Sequence, residues 1–205
     1  MKLSPERQIE TGAFYTPKIW ADLAVEYIRK VVPNLEDYIF WDMAAGEGAL
    51  LKALPEGCQK YGTTLEWEDY CILKDKGFIC NQFDFLHGDM SCLLELRSMP
   101  RERLIVFTNP PYITLPADNE SYAKIKYKTN DVTALFLYRI FKEVKPVLCC
   151  YFAKLDLMQS QKHIQTRRDL PLYEKSLAKF ISPSKSWGLN GDFSIQFSID
   201  APYQF

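Results

Sequence analysis

"YIFWDMAAGEGALLKAL" fills residues 38–54 and changes character twice along its length. Residues 38–44 form an apolar, aromatic run of strand length, broken only by Asp42. Gly46 and Gly48 then mark a turn where missing side chains let another group approach the backbone. "ALLKAL" follows with helical composition. A strand, a glycine turn and a helix in that order open a unit of an α/β sheet.

The alternation repeats on both sides. Upstream, "TPKIWADLAVEYIRKVV" (16–32) reads as a helix, with Thr16 as its cap, Pro17 in its first turn and Ile19, Leu23, Tyr27 and Val31 along one face. Downstream, strands are expected at 60–66, 78–85, 103–109 and 147–155. Between them, "WEDYCILKDKG", "MSCLLELRSM" and "DVTALFLYRIFKEV" have helical periodicity, and Gly77 closes the first of these. "GDFSIQFSIDA" (191–201) alternates like a late, more exposed strand pair. The order predicts a doubly wound, mainly parallel sheet with a late antiparallel pair.

At 205 residues, a single domain spanning 1–205 is expected, large enough for a substantial core. No apolar run approaches the roughly 20 residues of a membrane span. "MKLSPERQIETG" lacks the apolar centre of a secretory signal. Six scattered cysteines without a C-x-x-C pair indicate a reducing, cytoplasmic setting. Two histidines without spaced partners predict no metal site. The net charge of −1 hides an asymmetry: residues 1–103 carry 12 basic against 17 acidic residues, and residues 104–205 carry 13 against 9. A polyanion is expected on the second half.

Acids or amides stand at four successive strand ends: Asp42, Glu66, Asp84 and Asn109. In such sheets ligands bind beyond those ends. The glycine turn lacks the full dinucleotide fingerprint, because Leu51 stands where the third glycine or alanine would be. Asp42 before the turn repels a pyrophosphate and suits an ammonium group. Glu66, 24 residues later, has the spacing of an acid that accepts ribose hydroxyls. Asp84 suits an adenine amino group, with Phe85 or Trp67 against the ring. An adenosine with a cationic tail and no phosphate describes S-adenosylmethionine rather than NAD.

The fourth strand runs into "TNPPY" (108–112). Proline has no amide donor, so Pro110 and Pro111 end the strand and stiffen the turn. The Asn109 side-chain oxygen and the Pro110 carbonyl would accept the hydrogens of a delocalised amino group and favour its pyramidal form during alkylation. Tyr112 would stack on a base drawn out of its duplex.

These residues resemble the adenine-N6 DNA methyltransferases of bacterial restriction–modification systems. "TNPPY" is similar to their catalytic tetrapeptide, "FWDMAAGEGALL" to their cofactor loop, "TTLEWED" to the ribose acid and "QFDFL" to the adenine-binding pair. "TGAFYTPKIWADLAVEYI" resembles their N-terminal cofactor-covering segment, in the motif order called gamma or amino-type I, and "WGLNGDFSIQFSI" the late segment that seats the flipped base. The resemblance implies the Rossmann-like methyltransferase fold, with Asn109, Pro110, Pro111 and Tyr112 catalytic. It implies a cofactor site of Tyr15, Thr16, Asp42, Ala44, Gly46, Gly48, Glu66, Trp67, Asp84, Phe85 and Asn109, covered by residues 11–30. Trp187 or Phe193 would pack on the base.

Relatives carry a target-recognition region, so one outside this chain, or on a partner subunit, is expected. Residues 113–131 read as a mobile, substrate-facing loop, where Lys124, Lys126 and Lys128 interleave with Tyr122 and Tyr127 as a nucleic-acid surface would. Two other readings use the same tetrapeptide or cofactor loop: a protein glutamine-N5 methyltransferase, and an inactive cofactor-binding module of a larger complex.

Overall fold

The computed structural model describes residues 15–170 and 176–201. Seven strands form one sheet: β1 (Ile39–Asp42), β2 (Gln59–Thr64), β3 (Ile79–Gln82), β4 (Leu104–Thr108), β5 (Leu148–Lys154), β6 (Ser176–Pro183) and β7 (Ser194–Asp200). Their spatial order is β3-β2-β1-β4-β5-β7-β6. The first five run parallel, and β7 enters antiparallel between β5 and β6. The chain winds outward from β1 in one direction and then crosses to β4, so β1 and β4 flank the switch point where such sheets open a crevice.

Alternation within the strands feeds two cores. On one face Phe40, Ile105, Phe107, Cys150 and Phe152 pack together; on the other, Trp41, Val106, Cys149 and Tyr151. Helix α1 (Lys18–Val31) covers the first face with Ala21, Ala24, Val25 and Ile28. That stripe differs from the expected one, for Ile19 is 66% exposed. Alanines at 21 and 24 let the helix approach closely, so the small residues rather than the bulkiest set the buried side.

Thr16 does not cap this helix: Pro17 holds the cap position and no side chain closes it. Short helices α2 (Ala49–Ala53), α3 (Trp67–Asp75) and α4 (Leu94–Ser98) follow β1, β2 and β3. Helices α5 (Tyr122–Tyr127) and α6 (Val132–Arg139) lead toward β5, and α6 continues as a π-turn over Ile140–Val144. Helices α7 (Leu155–Gln159) and α8 (Ile164–Asp169) follow β5.

The late strands also differ from expectation. Residues 194–200 form one buried strand, and its outer neighbour is β6, which alternation did not reveal. Phe180, Phe197 and Phe152 lie side by side across β6, β7 and β5, with ring centroids 5.1 and 5.0 Å apart. The polar half of β7 (Gln196, Ser198 and Asp200) is buried rather than exposed. Two bonds are made inside: Gln196 donates to Ser198 Oγ at 2.7 Å, and Tyr151 Oη donates to Asp200 Oδ2 at 2.7 Å. Among the described residues, no helix is long and apolar enough to cross a membrane.

Candidate active site

A cavity of about 280 Å³ opens at the C-terminal ends of β1, β2 and β4, at the switch point. Asp42 forms its floor. The carboxylate is buried and accepts from Thr108 Oγ1 at 2.9 Å and from the Ala44 amide at 3.1 Å. Adjacency of β1 and β4 makes the first bond, tying the ends of two strands together. Burial outweighs these bonds and pushes the Asp42 pKa up to about 7.

The turn after Asp42 is shaped by its glycines. Gly46 has φ +49°, and a side chain there would meet the Tyr15 ring at 3.5 Å, so Tyr15 lies directly over the turn. Gly48 has φ +84°, and a Cβ would come within 2.8 Å of Leu73 on α3. Gly46 serves the cavity, and Gly48 serves packing outside it. Residues 11–14 of the expected covering segment lie outside the described residues.

Glu66 borders the cavity just before α3, and Asp69 reaches it from the first turn of that helix. Asp69 is 4% exposed, and burial, reinforced by Glu47 and Glu66, raises its pKa to about 6. Sequence reading missed Asp69, which is one of three acids in "EWEDY"; only the direction of α3 selects it. On the far wall, Asp84 Oδ1 accepts the amides of Leu86 (2.8 Å) and His87 (3.1 Å), while Oδ2 meets His87 Nδ1 at 2.8 Å. The carboxylate is therefore held by its own turn. Phe85 lies behind it, buried and edge-on to Trp41. Trp67 is not on the wall: it is 58% exposed and packs on Tyr70.

Asn109 stands at the mouth with Thr16 and Pro111. Its Nδ2 donates to Thr16 Oγ1 at 3.1 Å, and its Oδ1 accepts from Tyr112 Oη at 2.5 Å. These two bonds fix the plane and sense of the amide. Thr133 Oγ1 donates to the Pro111 carbonyl at 2.9 Å, securing the turn from α6. Tyr15, Thr16, Asp42, Ala44, Gly46, Glu66, Asp84, Phe85 and Asn109 thus share one cavity.

Other expected residues lie elsewhere. Trp187 is 7% exposed in the aromatic core, donating to Ser182 Oγ at 2.9 Å, whereas half-buried Phe193 faces the end of β5. Within 113–131, Lys124 Nζ is spent on the carbonyls of Pro116, Ala117 and Asn119. Lys126 pairs with Glu143 at 3.0 Å, and Tyr127 stacks on Tyr138 with centroids 4.8 Å apart. Lys128 alone of that set is an exposed helix end, in left-handed backbone with φ 54°. The stretch expected to be a mobile loop contains α5 and is bonded internally.

No protein-family model matches the sequence, and no curated protein matches it. Solved structures do resemble it. A type I restriction–modification system methyltransferase subunit from Streptococcus thermophilus superposes with TM-score 0.67 at 16% identity, over 93% of this chain and 45% of that one. A Listeria monocytogenes protein provisionally assigned to the class I S-adenosylmethionine-dependent methyltransferases gives 0.65 at 13%, over 91% and 60%. The 23S rRNA methyltransferase ErmE gives 0.56 at 10%, over 92% and 69%. The chain spans less than half the restriction–modification subunit and less than two thirds of the Listeria protein. What these structures share with it is the architecture: the chain has the methyltransferase fold.

Proposed function

We propose that the chain is an S-adenosylmethionine-dependent methyltransferase acting on the exocyclic N6 of an adenine flipped out of DNA. One observation carries this reading. The cavity is walled by Asp42, Glu66, Asp69 and Asp84, without a lysine or arginine among its lining residues, and it ends at the fixed amide of Asn109. Such a wall rejects phosphates and favours a cation with hydroxyl and amino donors, which describes this cofactor. When bound, S-adenosylmethionine supplies an activated methyl group on a sulfonium.

The chain's own residues have distinct tasks. Asp42 and Asp69 supply negative charge beside the glycine turn, Glu66 supplies acceptors for a diol, and Asp84 accepts from an amino group. Tyr15 covers the turn. At the mouth, the Asn109 amide, oriented by Thr16 and Tyr112, would present its Oδ1 to a hydrogen of the acceptor amine. Drawing the hydrogens into fixed acceptors takes the nitrogen lone pair out of conjugation, stabilising charge where it develops. Target selection belongs to a region or subunit outside this chain. All six cysteines are free thiols, which fits the cytoplasm.

Asn109→Ala tests the reading. Transfer of labelled methyl to adenine-containing DNA should be lost, while cofactor affinity by calorimetry changes by less than about tenfold. Undiminished transfer overturns the role of Asn109. Transfer to a peptide glutamine but not to DNA overturns the acceptor.

A further inference from the structure

Tyr112 and Ile113, just past the Asn109 turn, also border a second, smaller cavity of about 90 Å³, lined by Thr133, Lys154, Asp156 and His163 among others. Lys154 is the last residue of β5. Its ammonium stands over the faces of two rings, 5.1 Å from the centroid of Phe193 and 5.9 Å from that of Tyr112. It donates to the Tyr112 carbonyl at 3.3 Å. Two carboxylates share the cavity, but Asp131 and Asp156 approach His163, at 3.8 and 3.6 Å. Among the described residues, Lys154 forms no ion pair. A cation without an ion-pair partner among the described residues thus lies over the Phe193 ring and over the ring of Tyr112, whose hydroxyl bonds the Asn109 amide.

A flat base that stacks on Tyr112 must take the place of that ammonium. The carbonyl of Tyr112 tethers the displaced group beside the ring, where in-plane lone pairs point. We propose that Lys154 reads the acceptor: it holds the stacking faces until a base arrives, then donates to a ring nitrogen at the base edge. The proposal rests on the nucleobase reading of the Asn109 site. It concerns which base is accepted, not how methyl is transferred.

Two measurements test it. The first needs neither cofactor nor turnover: NMR of the chain carrying [6-13C]lysine, with Lys154→Met assigning the signal. Two ring faces should displace the Lys154 ε-CH2 signal upfield of the other lysines, and 9-methyladenine should move it while inorganic phosphate should not. A signal among the other lysines, one unmoved by 9-methyladenine, or one moved only by phosphate overturns the proposal.

The second compares transfer to DNA in which adenine is replaced by 1-deaza-, 3-deaza- or 7-deazaadenine. The unaltered chain should discriminate against one analogue by roughly tenfold to a hundredfold, as loss of one charged hydrogen bond requires. Lys154→Met should slow transfer to normal DNA and treat that analogue like adenine. A merely structural lysine would slow all substrates equally, and that result overturns the proposal. Absence of transfer to any adenine DNA refutes the proposed activity instead, and the first measurement still decides whether Lys154 yields to a base.

Discussion

Asp42 shows how one residue can carry both the fold and the chemistry. It ends β1, ties that strand to β4 through Thr108, and faces the cavity with a pKa raised to about 7 by burial. A bound cation favours the ionised carboxylate, so binding below pH 7 expels a proton. Affinity for S-adenosylmethionine should therefore rise with pH, by up to about tenfold per unit below pH 7, and level above it. Calorimetry from pH 6 to 8, in buffers of differing ionisation enthalpy, would count the proton. Asp42→Asn should weaken binding and flatten the profile; an unchanged slope would remove Asp42 from cofactor contact. The strand-end acids were legible in sequence because a strand fixes where its last residue points. Asp69 was not, since its neighbours Glu66 and Glu68 present the same chemistry and only the turn of α3 separates them.

Among the elements, α6 with its π-turn does the most joining. Arg139, 2% exposed, donates to the carbonyls of Phe85 and Gly88, behind the Asp84 side of the cavity. It pairs with Glu143 at 2.9 Å, and Glu143 also accepts from Tyr127 and Lys126 of the 113–131 segment. Burial disfavours the Glu143 carboxylate, but those bonds and the Arg139 charge leave its pKa below the ordinary value. The wider π-turn, closed by the Lys145 amide on the Ile140 carbonyl, presents Glu143 to both partners. Glu143→Ala would leave a buried guanidinium without its counter-ion, a loss of about 3–5 kcal/mol in urea unfolding, and should weaken cofactor binding by loosening residues 85–88. A loss below about 1 kcal/mol would show that Arg139 is held by the carbonyls alone.

The helix was legible from its apolar period, but the π-turn was not, because nothing in "IFKEV" differs from ordinary helix. Strand β6 was hidden for another reason. It is the sheet's outer strand and carries apolar residues on both faces, with Leu177 and Ile181 outward and Ala178 and Phe180 inward, so no period of two stands out.

For the whole molecule, three buried carboxylates set how stability follows pH. Asp42, Asp69 and Asp200 have pKa values raised to about 7, 6 and 7. Each binds a proton more tightly folded than unfolded, so its stabilising share is complete below about pH 4 and is lost as pH rises through the folded value. The buried thiols of Cys149 and Cys150 are pushed further above their ordinary range and stay neutral throughout this window. Asp200 is the cleanest probe because it lies in β7, away from the cavity. A rise from 3.8 to about 7 caps its effect at about 4 kcal/mol. Asp200→Asn keeps an oxygen to accept from Tyr151 and removes the charge. The unaltered chain should lose thermal stability from pH 5 to 8, and Asp200→Asn should remove a large part of that slope while melting higher at pH 8. Equal slopes in chain and variant would mean that Asp200 ionises in the folded sheet at its ordinary pKa. Adding S-adenosylmethionine should recover the share that belongs to Asp42 and leave that of Asp200 untouched, separating the charge that serves the site from the one buried in the sheet.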